Sequence, residues 1–123
     1  MDIAELFAQY ESDVKIRYEK SGTFIALPFY QLESEESIAL RFSETQDGRP
    51  VATDCGTTKD YLEAREIHIE AYREKVNAVK ERFGLEEENG AFLMTMPTDN
   101  RNAVKRHLGY FIQAISIIAN IDL

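Results

Sequence analysis

The stretch TFIALPFYQLESEESIALRFSETQDGRPVATDCGTTKDYL, from Thr23 to Leu62, decides the fold. Phe24-Ile-Ala-Leu27 is apolar on both faces, which fits a central strand rather than an edge. Pro28 has no N–H to give a ladder and closes that strand. Ile38, Leu40 and Phe42 alternate with Ala39, Arg41 and Ser43, the period-two pattern of a second strand. Asp47-Gly48 predicts a tight primed hairpin turn, because such turns need positive φ and these residues tolerate it. Val51 to Thr53 is then the returning strand, and Thr57 or Thr58 caps a short helix through Leu62.

Working outward, Asp2 is an N-cap for a first helix with Ile3, Leu6, Phe7 and Tyr10 on one face. Val14, Ile16 and Tyr18 alternate with Lys15, Arg17 and Glu19 and read as a half-buried strand ending at a Ser21-Gly22 turn. Downstream, the charged piece from Glu63 to Glu70 fits helix and loop equally. Ile69, Tyr72, Val76, Val79 and Phe83 recur at spacings of three and four, and Gly84 stands where a left-handed C-terminal cap belongs. Asn89-Gly90 signals a second hairpin leading into Phe92, Met94 and Met96. Pro97, Thr98 and Asp99 end that strand and open a last helix, polar through Arg106 and apolar nearly all round after Leu108. The expected fold is α+β. A small antiparallel sheet carries an N-terminal helix, a two-part middle helix and a C-terminal helix, in a single domain over residues 1–123.

Bulk properties narrow the function classes. A chain of 123 residues that is 44% hydrophobic can bury one core. Its formal charge of −8 and pI near 4.8 argue against direct nucleic-acid binding and against an anionic membrane, since both repel an acidic surface. The lone Cys55 excludes an internal disulfide and fits a reducing compartment. Met1-Asp-Ile-Ala-Glu-Leu6 lacks the basic flank and apolar run of a signal peptide. Leu108 to Ile121 falls short of the about 20 apolar residues a membrane helix needs. A cytoplasmic protein is expected.

Ala26-Leu-Pro-Phe29, Glu36-Ser-Ile38-Ala-Leu40, Asp47-Gly48 and Ala52-Thr-Asp54-Cys-Gly56-Thr, followed by Leu62, together resemble a bacterial and phage family. That family is catalogued as a domain of unknown function, number eighteen twenty-eight. Its members carry a Thr-Pro-Phe strand end, an alternating strand, a Leu-Thr-Asp-Asp-Gly turn and a downstream Leu. They continue with a helix ending in a Tyr-Gly or Phe-Gly cap, matched by Phe83-Gly84. A short strand and a Gln-Ala-Met-type helix follow, matched by Gln113-Ala114-Ile115. Cys55 replaces the usual second Asp and Ala52 the usual Leu, so a metal held by that acidic pair in relatives would not carry over. The resemblance implies a phage or prophage setting and no activity.

The candidate sites are few. Asp54 in the Thr53-Asp54-Cys55-Gly56-Thr57 turn reads either as a displayed catalytic acid or as a backbone-bonding turn residue, and the second is the commoner chemistry. Cys55 paired with His68 or His107 would make a nucleophile and base, but no spacing brings them together, and free cysteines mostly pack as small hydrophobes. Asp54 with Glu63, Glu66 and His68 supplies the atom types of a metal-dependent hydrolase or nuclease, the alternative function. The favoured function is a small acidic, non-enzymatic phage-type binding protein, acting as a counter-defence inhibitor on a nucleic-acid-binding host protein. It would use Glu33, Glu35 and Glu36 in one loop and Glu86, Glu87 and Glu88 in another against a basic protein surface. No cofactor and no metal is expected. Tyr110, Ile117 and Ile121 form a second apolar stripe on the last helix, which predicts either a homodimer seam or a face buried against another partner.

Overall fold

The computed structural model describes residues 15–19, 22–26, 39–97 and 100–123. The predicted helix over Ile3 to Tyr10 and the loop with Glu33, Glu35 and Glu36 lie outside the described residues. Among the described residues six strands form one antiparallel sheet: β1 (Lys15–Glu19), β2 (Gly22–Ala26), β3 (Ala39–Glu44), β4 (Pro50–Thr53), β5 (Glu86–Glu88) and β6 (Ala91–Thr95). Their order is β1-β2-β3-β4-β6-β5, with every neighbour antiparallel. Among the described strands, β2 is flanked on both sides, as its continuous apolar run predicts. Among the described residues three helices, α1 (Thr57–Ala64), α2 (Arg73–Phe83) and α3 (Arg101–Ala119), accompany the sheet in an α+β fold, with a 3-10 turn over Ile69–Tyr72 between the first two.

The core lies between the helices and one face of the sheet. Register puts Phe42 opposite Ala52 and Ala52 opposite Met94, so a small residue separates two large ones across three strands. Leu40, Phe92 and Met96 are buried with them. From the helices come Tyr61 and Leu62, then Val76 and Val79, then Leu108, Phe111, Ile115 and Ile118. Each such large side chain gains about 1.5–3 kcal/mol from burial.

The hairpins differ from one another. Asn89 and Gly90 both take positive φ, 52° and 80°, and join Glu88 directly to its partner Ala91. That is the two-residue primed turn the sequence predicts. At Asp47-Gly48 only Gly48 is left-handed, at 82°. Gly48 N donates to Thr45 O, and Thr45 N donates to Arg49 O. The loop is therefore three residues long, a turn followed by a left-handed glycine, and not the primed turn expected.

The helix ends correct several sequence readings. Asn100, which the sequence reading places among the polar residues of the last helix, is its cap: its Oδ1 accepts from the N–H of Asn102 and Ala103, both at 3.1 Å, and α3 begins at Arg101. Gly84 takes the left-handed cap of α2 as predicted, at φ 69°. α1 stops at Ala64 without a glycine. Glu66 N donates to Glu63 O and Ile67 N to Leu62 O, the paired bonds of a Schellman cap, with Glu66 left-handed at φ 61°. The ambiguous piece from Glu63 to Glu70 is thus a helix end, a turn and the start of a 3-10 turn.

Two further readings change. Glu86–Glu88 is a strand, not a loop. Ile121 is only 5% exposed, so it leaves the predicted dimer seam. It lies past the last helical residue, where Ile121 N donates to Ile118 O and the chain turns inward. No helix of the described residues is long and apolar enough to cross a membrane.

Candidate functional site

Asp54 leaves the end of β4 fully buried. Its Oδ1 accepts from Gly56 N at 2.9 Å and Phe92 N at 2.8 Å, and its Oδ2 from Thr58 N at 3.3 Å. Asp54 N donates to Phe92 O at 3.1 Å, and the Thr53 hydroxyl donates to the same carbonyl at 3.0 Å. Cys55 and Gly56 take φ of 56° and 82°, and Thr57 N closes the turn on Asp54 O at 3.0 Å. The sequence reading that Thr57 or Thr58 caps α1 does not hold. Thr57 Oγ1 donates back to Asp54 O at 2.6 Å, and the carboxylate accepts from the amides of Gly56 and Thr58 where the helix starts. The carboxylate thus fills the place an anion would take at this N-terminus. Burial pushes the Asp54 carboxyl above its ordinary range, opposed by the Thr58 side chain and the amides of Gly56, Phe92 and Thr58. The Phe92 bonds tie the end of β4 to β6, the Thr58 bond ties it to the start of α1, and both carboxylate oxygens are engaged.

Cys55 is exposed at the crest of this turn, not packed inside as the sequence suggests. Partial burial of the sulfur raises its pKa, against the charge of Arg41 and together with that of Asp54. The group is therefore a thiol at neutral pH and a weak nucleophile. His107 Nδ1 is engaged with Ala103 O at 2.8 Å, and its ring meets Tyr110 edge-on at 5.7 Å.

The other acids proposed alongside Asp54 are scattered. Glu63, Glu66 and His68 are all exposed while Asp54 is interior, and the helix that carries Glu63 ends at Ala64, before Glu66 and His68. Among the described residues no three His, Cys, Asp or Glu side chains gather as metal ligands.

The acidic run at 86–88 is organised differently. β5 is an edge strand whose exposure alternates, with Glu86 and Glu88 open and Glu87 half-buried. Glu87 sits opposite buried Phe92 in the register, on the helix side of the sheet. There its Oε1 accepts from Arg73 Nη1 at 2.7 Å and Lys80 Nζ at 3.1 Å, and its Oε2 from Arg73 Nη2 at 3.3 Å. Arg73 also holds Glu70, through Nε at 3.2 Å and through Nη2. The Arg73 hydrogen bonds and those of Lys80 hold the Glu87 carboxyl below its usual range. The sequence missed this division of labour, because three identical residues hide their own alternation. The only signal was Asn89-Gly90, which requires a partner strand before it. Neither a family model, nor a curated protein, nor a solved structure matches the chain.

Proposed function

We propose that this protein is a small acidic, non-enzymatic binding protein that engages a basic protein surface through its β5 edge. The observation that carries the reading is the fixed display of Glu86 and Glu88. Both project from one side of a strand that Glu87 anchors to Arg73 and Lys80. Alternate residues on a strand stand about 6.8 Å apart. Two carboxylates carried on a backbone already held in a strand, with less of it left to order on binding, imitate the phosphate line that a nucleic-acid-binding protein reads. A net charge of −8 adds long-range attraction toward such a partner. The family resemblance supports a phage or prophage setting, in which occupying such a host protein would serve counter-defence. Asp54 supports the same choice over hydrolysis, because its oxygens are committed to backbone amides inside the fold.

Association with an arginine-rich peptide, followed by stopped flow at increasing salt, tests the reading. Glu86→Lys with Glu88→Lys is expected to slow association roughly tenfold at low salt and to flatten its salt dependence. The variant keeps its fold, since lysine suits an exposed sheet edge. Unchanged kinetics, with a loss only on reversing Glu33, Glu35 and Glu36, would move the binding surface away from β5.

A further inference from the structure

We infer that the outer face of α3 pairs with the same face of a second copy of this chain, as an antiparallel helix pair centred on Gln113. Tyr110 and Ile117 are each 41% exposed on that face, seven residues apart and so aligned along the helix. Exposed Gln113 lies between them, and exposed Gly109, one turn before Gln113, adjoins Tyr110. A glycine inside a helix is unfavourable relative to alanine, and Gly109 has no packing reason within the described fold. A Cβ built there meets nothing within 4 Å. In the antiparallel pair, Ile117 of the second copy stands over the bare backbone at Gly109, and Gln113 meets Gln113 on the two-fold axis. Knob and hole come from one surface, used twice, as a two-fold interface demands.

Charge selects a second copy as the occupant. A chain of −8 repels its twin, so a self-docking face must be free of acids. α3 carries none from Arg101 to Ala119, whereas α1 carries Asp60 and Glu63, and α2 carries Glu74 and Glu81. Its cations Arg101, Lys105 and Arg106 crowd one end. Antiparallel pairing sets the two basic ends about 27 Å apart by helix rise, well beyond the Debye length of about 8 Å. Each basic end then faces the negative C-terminal end of the other helix and its Asp122, which reaches solvent beside Arg65. One helix pair covers less than the about 800 Å² per partner of a standard interface, so the dimer is weak and concentration-dependent.

Light scattering and sedimentation of the full chain across concentration test this. The mass is expected to rise from 14.1 kDa toward twice that value by about 500 μM. Ile117→Glu should hold the chain monomeric with an unchanged melting temperature. Gly109→Ala should raise the melting temperature while weakening the dimer about tenfold, a pair of opposite shifts that a purely intrachain glycine would not produce. A mass fixed at that of one chain throughout, or a dimer indifferent to both substitutions, would overturn the inference.

Discussion

Asp54 shows how one side chain can look catalytic in a sequence and be structural in the fold. Removing it as Asp54→Ala strands three amides, and the expected loss is about 2–4 kcal/mol of unfolding free energy by urea titration. Asp54→Asn keeps one oxygen and should lose less. Its raised pKa fixes the sign of the pH effect. Stability from this group is fully present below pH 3.8 and declines as pH rises through the folded value, so the advantage of Asp over Asn shrinks toward neutrality. The Asp-x-Gly spacing made the backbone role legible. Cys55 and Glu66 were not legible, because neither residue type announces a left-handed backbone. Cys55→Asn and Glu66→Gly should each stabilise the protein by about 0.5–1 kcal/mol, read as raised urea midpoints at constant slope.

Among the elements, β5 and the end of α1 are where pattern failed. Strand and helix signals rest on contrast between apolar and polar positions, and Glu86–Glu88 offers none. Its strand character comes from the turn at Asn89-Gly90 and from Arg73 and Lys80, which lie 13 and 6 residues before Glu86 in the sequence. The stop of α1 is equally silent, since a Schellman cap formed on Glu66 lacks the usual glycine. By contrast the stripe of α2 with its Gly84 cap, and the alternation in β3, carried enough contrast to be read directly. Glu87→Gln should lower stability by about 1 kcal/mol at neutral pH. The Glu87 carboxyl is held below its ordinary 4.5, so its contribution is full above that pH and disappears as pH falls through the folded value. Urea midpoints taken from neutral to acid should therefore fall less steeply in Glu87→Gln than in the wild type.

At the scale of the molecule, the sequence was sufficient for fold class, strand direction and most of the core, because each follows from local periodicity and turn chemistry. It was insufficient for the choice between enzyme and binder. It left open whether Asp54 faced solvent or backbone, and which of the three glutamates was tied to cations, because both are set by contacts distant in sequence. Among the described residues the fold braces one pair of exposed acids on the β5 edge, exposes Tyr110 and Ile117 on α3, and keeps the Asp54 carboxylate inside. The proposed binding surface of Glu86 and Glu88 is tested by backbone amide chemical-shift mapping during titration with an arginine-rich peptide. Saturable shifts are expected in 86–88 and the adjoining residues of β6, and their loss in Glu86→Lys with Glu88→Lys. Shifts spread evenly over every acidic face, or centred on the Asp54 turn, would contradict it.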